Sequence, residues 1–215
     1  PNSTTNWSRI FDFGTSTTSY MFLTPQNGSN QRLRFAITTN GNAGEQMLNW
    51  ASPLMPGVPY HVAITLRGNT GMLYVNGAPV DTNAAMTLKP ASLGITPNNY
   101  LGKSQWPDPY FNGLIDELRI YSVALSAAEI AATDALGSSQ TLSTGSPALN
   151  VNSSPTSLTL TWPLASAGFT VQTCTNLVGG NWVSVPSPAP QIIGNQWQVT
   201  LPATNAGSVF YRLSN

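Results

Sequence analysis

The chain has 215 residues, 41% of them hydrophobic and only 7% charged, and its eight basic and eight acidic side chains cancel. An average soluble domain carries roughly 25% charged residues, so solubility rests here on Asn, Ser, Thr, Gln and Gly. No basic patch exists that could grip a phosphate backbone, which excludes nucleic acid as a partner, and no apolar run is long enough to span a membrane.

In chain order, the opening PNSTTNWSRI has neither the charged nor the apolar region of a signal peptide. Short runs rich in aromatic and β-branched residues follow: WSRIFDF, TSYMFLT, QRLRFAITT, YHVAITLRG, GMLYVNG and LIDELRIYS. Turn clusters such as TPQNGSN, TTNGNAG and RGNTG separate several of them, so they read as strands. LRGNTGMLYVNG predicts a hairpin with a tight Gly-containing turn. Regular short strands of this kind predict an antiparallel sandwich or jelly roll.

Ser126 and Glu129 have capping-box spacing, and Leu125 can staple against Ile130, which predicts one short helix from 126 to about 136, stopped at Gly137. The helix is expected against the sandwich edge, closing a first domain of residues 1–136. GSSQTLSTGSP, 137–147, is small, polar and uncharged and reads as a linker. Residues 148–215 alternate as SLTLTWP, FTVQTCTNL, NWVSVPS, NQWQVTLPA and VFYRLSN and predict a second, small β-sandwich of immunoglobulin or fibronectin-III type. Trp162, Trp182 and Trp197 are expected in its core. Cys174 is the only cysteine, so an internal disulfide and a cysteine-based zinc site are excluded. In its strand it reads as a small buried hydrophobe.

Asp116 and Glu117 stand side by side in GLIDELRIY, and paired carboxylates are the tools of sugar hydrolysis. Neighbouring side chains on a strand point to opposite faces, whereas two catalytic carboxyls must flank one bond roughly 5–9.5 Å apart. The same-face pattern E-x-D-x-x-E of jelly-roll glucanases is missing. Glu117 and Arg119 share a face and should pair, and Asp116 is a candidate calcium ligand. His61, the only histidine, sits in a strand and reads as structural. No nucleophile elbow, P-loop or dinucleotide fingerprint occurs. The expectation is therefore that the protein is not an enzyme.

WSRIFDFG, YMFLTP, LRFAITT, HVAITLRGNTGMLYVNG, LGKSQWPDPYFNGLIDELRIY and ALSAAEI together resemble the laminin-G-like, concanavalin A-like jelly roll appended to secreted bacterial polysaccharide-degrading proteins. The resemblance covers about Trp7 to Ala132. It implies a non-catalytic, lectin-like carbohydrate-binding module on two antiparallel sheets, extracellular in location. Residues 148–215 are similar to small sandwich modules that end such proteins. Members of the family usually carry a front segment before the strand matching WSRIFDFG, with further strands and often calcium ligands. Its absence from this chain leads to the expectation that another chain supplies strands beside that segment and completes the first jelly roll.

Sugars bind by stacking on aromatic faces and by hydrogen bonds to planar polar groups. The loop GKSQWPDPYFNG, 102–113, places Gln105, Trp106, Asp108 and Tyr110 close together, stiffened by two prolines, and is the first candidate for polysaccharide binding. Trp50 is a second. The alternative reading is a structural or adhesive protein that assembles through exposed sheet edges.

Overall fold

The computed structural model describes residues 1–28, 30–143, 146–203 and 207–215. Over the described residues the chain is all-β apart from one α-helix and two short 3-10 turns. It divides into two units, Pro1–Ala127 and Ala128–Asn215.

In the first unit, β1 (Phe11–Gly14), β2 (Tyr20–Thr24), β3 (Arg34–Thr38), β4 (Gln46–Asn49) and β8 (Asn98–Leu101) form a five-stranded antiparallel sheet in the order β4-β3-β2-β1-β8. Three strands, β5 (Val62–Arg67), β6 (Thr70–Val75) and β7 (Ala78–Asn83), form a meander. Period-2 alternation sorts the side chains of the larger sheet. Phe11, Leu23, Phe35 and Leu48 lie in one cross-strand row. They face inward and pack with Leu73 and Val75 of the meander into one core. The next row, Asp12, Phe22, Ala36 and Met47, faces the other way. Phe22 and Ala36 join Tyr20 in a smaller cluster covered by Trp7 and Trp106.

The expected hairpin is present. Arg67 pairs with Thr70, leaving Gly68 and Asn69 as a two-residue turn, and Gly68 takes a φ of 56°. The next turn, Asn76–Gly77, has positive φ at both residues (49° and 74°), as a tight hairpin requires. His61 precedes β5, where its N–H donates to Asn76 Oδ1 and its carbonyl accepts from Asn76 N–H.

Two expectations about strand pairing in the first unit fail. First, the region beside WSRIFDF is not open: β1 is flanked by β2 on one side and β8 on the other, both from this chain. No second chain is needed there. Second, LIDELRIYS forms no strand. Residues 114–118 and 120–123 make no backbone hydrogen bond among the described residues. The last main-chain partner before them is the Asn112 carbonyl, which accepts from the N–H groups of Asn2 and Ser3. Leu114, Ile120 and Val123 are 88%, 77% and 69% exposed. The residues have strand propensity, but a strand also needs a hydrogen-bonded neighbour, and none of the described strands pairs with them.

The second unit is a two-sheet sandwich. One sheet has the order β13-β14-β10-β9, from Gln191–Ile193, Gln196–Pro202, Ser157–Pro163 and Asn150–Ser153. The other has the order β12-β11-β15, from Val183–Ser184, Thr170–Cys174 and Phe210–Ser214. In the first of these, the unit's first, second, sixth and fifth strands are neighbours in turn. The A-B-E-D sheet of the immunoglobulin fold has this order when β12 is counted as a C′ strand. Leu160, Trp162, Val171, Trp197 and Val199 fill the space between the sheets. Trp162 and Trp197 stack at 6.5 Å, and Trp197 Nε1 donates to the Leu164 carbonyl. Trp182 departs from expectation: it lies outside this core, half-buried under the Arg212 guanidinium at 4.3 Å. Cys174 is buried in β11.

The helix α1 (Ala127–Leu136) starts directly after Ser126 and ends at Gly137, which takes a φ of 72°. It falls with the second unit rather than the first, because Ala132 and Leu136 join the second core. Thr144 and Gly145 of the expected linker lie outside the described residues. No helix among the described residues is long and apolar enough to cross a membrane.

Candidate functional site

The outward face of the five-stranded sheet carries the site. Register places Asn98 and Tyr100 of β8 opposite Gly14 and Asp12 of β1, on the face away from the main core. Above them the loop after β8 folds back. Its Gln105 N–H donates to Asp12 Oδ2 at 3.0 Å, and Gln105 Nε2 donates to the Asn98 carbonyl at 3.1 Å. Gly14 leaves room for this: a Cβ there would stand 2.8 Å from Gln105 Nε2 and 2.5 Å from the Ser19 carbonyl oxygen. The result is an open cleft of about 320 Å³ lined by Thr15–Thr17, Asn98, Tyr100 and Lys103–Trp106. The exposed Lys103 ammonium lies 4.5 Å from the centre of the Tyr100 ring.

Below the cleft a buried charge cluster ties the loop to the sheet. Arg9 is 3% exposed and Asp12 fully buried. The Arg9 guanidinium lies 4.0 Å from the Phe22 ring centre, with Trp7 and Trp106 at 5.5 and 5.7 Å. Its Nη1 donates to the Trp7 carbonyl at 2.6 Å. Nη2 lies 3.4 Å from Asp108 Oδ2, and Nε 3.6 Å from Asp12 Oδ2. Ser104 Oγ donates to Asp108 Oδ2 at 2.9 Å. Burial pushes the Asp12 carboxyl above its ordinary value, opposed by the Gln105 N–H and by Arg9. Burial likewise lowers the Arg9 guanidinium, opposed first by Asp108 and then Asp12. Tyr20 OH donates to Glu45 Oε1 at 2.7 Å, and burial followed by that contact raises the phenol.

Of the sequence candidates, Gln105 and Trp106 line the cleft. Trp106 also packs edge-on to Tyr20 at 4.7 Å, so it serves the fold as well. Asp108 belongs to the anchor beneath. Tyr110 is 72% exposed and lies outside the cleft lining. Trp50 packs edge-on to Tyr60 at 6.2 Å against the main core. Asp116 is exposed, on the segment after Asn112. Calcium takes 6–8 oxygen ligands, and among the described residues no group of three His, Cys, Asp or Glu side chains comes together to hold a metal. Glu117 and Arg119 pair as their spacing predicts. Thr15–Thr17, Asn98, Tyr100, Lys103 and Ser104 are the lining residues that sequence reasoning missed.

The family model of the concanavalin A-like lectin/glucanases superfamily matches residues 1–131. The chain belongs to this superfamily. No curated protein sequence matches it. Among solved structures, domain 4 of AbnA, a GH43 extracellular arabinanase from Geobacillus stearothermophilus determined with arabinotriose, is 23% identical with a TM-score of 0.51, covering 61% of this chain and 60% of that one. Residues 221–444 of an S-layer domain-containing protein from Clostridium thermocellum are 40% identical with a TM-score of 0.34, covering 60% of this chain and 63% of that one. The chain thus spans less than two thirds of either neighbour.

Proposed function

We propose that the first unit is a non-catalytic carbohydrate-binding module of a secreted bacterial protein, and that polysaccharide lies in the cleft over β1 and β8. The observation that carries this reading is the lining itself. An open trough presents amides from Asn98 and Gln105, hydroxyls from Thr15–Thr17, and the rings of Tyr100 and Trp106. Hydroxyl-rich, ring-faced ligands match that inventory. The superfamily contains lectins, and the arabinanase domain with the same fold was determined with a bound trisaccharide, which supports a glycan as ligand.

The placement of the acids supports the reading of binding without hydrolysis. Asp12 beneath the cleft is fully buried, and Asp108 is bound to Arg9 and Ser104. Neither is placed to protonate a glycosidic oxygen or to attack a sugar carbon. Asp116 and Glu117 lie elsewhere, on the segment after Asn112.

Affinity electrophoresis against a panel of soluble plant and bacterial polysaccharides tests the reading. Gln105→Ala and Lys103→Ala should each weaken retention by up to about tenfold, the scale of one hydrogen bond of about 0.5–1.5 kcal/mol. Tyr110→Ala should leave retention unchanged. Retention untouched by Gln105→Ala and Lys103→Ala, or release of reducing ends from any retained polysaccharide, would overturn it.

A further inference from the structure

Lys103 stands out among the basic residues of a chain that has only eight. Arg9, Arg34 and Arg119 pair with carboxylates, and Lys89 Nζ donates to the Met86 and Leu88 carbonyls. The Lys103 ammonium has no hydrogen bond or ion pair among the described residues and lies over the Tyr100 ring instead, at 4.5 Å. The acids beneath the cleft do not serve it. Asp12 Oδ2 accepts from the Gln105 N–H and faces Arg9, and Asp108 Oδ2 is taken by Arg9 and Ser104. No Asp or Glu lines the cleft, and Lys103 is its one charged residue.

The backbone holds this cation in place. Gly102 N–H donates to the Ile10 carbonyl at 3.0 Å, and the Gly102 carbonyl accepts from Phe111 N–H at 2.9 Å. On the other side Ser104 is buried, with its Oγ donating to Asp108 and accepting from the Trp106 N–H. Lys103 therefore projects from a loop tied down on both sides, which lowers the ordering cost of binding. The neighbouring amides are partly committed. Asn98 Nδ2 donates to the Thr15 carbonyl at 2.9 Å, its Oδ1 accepts from Tyr100 OH at 3.2 Å, and Gln105 Nε2 donates to the Asn98 carbonyl. An ammonium has three N–H donors and no acceptor. A sugar hydroxyl replaces water there at little gain, whereas an anionic oxygen makes a charge-assisted bond about twice as strong as a neutral one.

With the cleft as the glycan site, a reading on which this depends, we infer that the glycan is anionic. Its acid group, a uronate carboxylate or a sulfate ester, sits against Lys103 beside Tyr100.

Affinity electrophoresis of the full 215-residue chain with matched polymers provides the test. The pairs are a polyuronate with its carboxyl-reduced form, and a sulfated polysaccharide with its desulfated form. At least one acidic polymer should be retained about tenfold more strongly than its neutral counterpart, and added salt should erode that preference. Lys103→Gln should bring the two forms level, and Lys103→Arg, which keeps the charge, should keep them apart. Whichever pair responds identifies the acid. Equal retention of acidic and neutral forms in both pairs would overturn the inference. So would a preference that survives Lys103→Gln or is lost in Lys103→Arg as well. If neutral polymers are then still retained through Gln105, the cleft reading stands without it. Failure to retain any polymer, or retention indifferent to Gln105→Ala, would overturn the cleft reading and this inference together.

Discussion

Arg9 illustrates how one residue can hold a site it does not line. Its guanidinium is stacked among Trp7, Phe22 and Trp106 and reaches both Asp12 and Asp108. Removing one partner of a buried pair leaves a charge without compensation, at a cost of about 3–5 kcal/mol. Arg9→Met, which keeps much of the stem, should therefore lower unfolding free energy by that order near neutral pH in a urea titration. The loss depends on pH. The folded carboxyl of Asp12 already titrates above its unfolded value, and without Arg9 it titrates higher still. Between the two values the folded state holds the proton that the unfolded state has released, so stability rises as pH falls. The Arg9→Met deficit should then shrink from neutral pH towards about pH 4, the ordinary carboxylate range. Adding Asp12→Asn should recover part of it. A deficit that stays constant across that range would show that lost packing, and not the orphaned carboxylate, dominates.

At the scale of elements, the turn between β5 and β6 depends on one backbone conformation. Gly68 has a φ of 56°, and nothing lies within 4 Å of where its Cβ would be. Substitution there meets backbone strain alone. Gly68→Ala should cost about 1–2 kcal/mol and Gly68→Asn less, because Asn tolerates the left-handed region. Thermal denaturation of the pair checks the order. That turn was legible because a glycine between two apolar runs has a local cause. Most strands were legible from equally local causes: TSYMFLT and QRLRFAITT are short runs rich in aromatic and β-branched residues, set off by turn clusters. LIDELRIYS shows the limit. Its share of apolar and β-branched residues invites the same reading, but strand propensity describes a side chain's fit to a sheet and supplies no partner. The site divides in the same way. Gln105 and Trp106 could be found because they share one short loop. Asn98, Tyr100 and Thr15–Thr17 could not, since only the register of β8 on β1 and the turn after β1 bring them together. Asp108 was found for its chemistry, but its place beneath the cleft follows from a buried arginine nearly a hundred residues away in sequence.

For the whole molecule, two separate cores mean two separate ledgers of stability. Leu160 is fully buried at the centre of the second. Leu160→Ala should cost about 2–5 kcal/mol, and hydrogen exchange should locate the loss. Amides of β10 and β14 should lose protection while those of β2 and β3 keep theirs, because Leu160 packs in the second core and β2 and β3 contribute to the first. Loss of protection in β2 and β3 as well would show that the two cores unfold as one.

The division between a buried anchor and an exposed rim has a consequence for diversification. Arg9, Asp12 and Asp108 hold the loop from below, whereas Thr15, Ser16, Thr17 and Lys103 are exposed to solvent above it. Changes at the upper positions leave the charge cluster intact. If the cleft binds glycan as proposed, its specificity can drift, under natural selection or in a randomised display library, without passing through unfolded intermediates. In such a library, clones altered at Thr15, Ser16, Thr17 and Lys103 should express as well as the parent, while clones altered at Arg9 should drop out before any selection for binding begins.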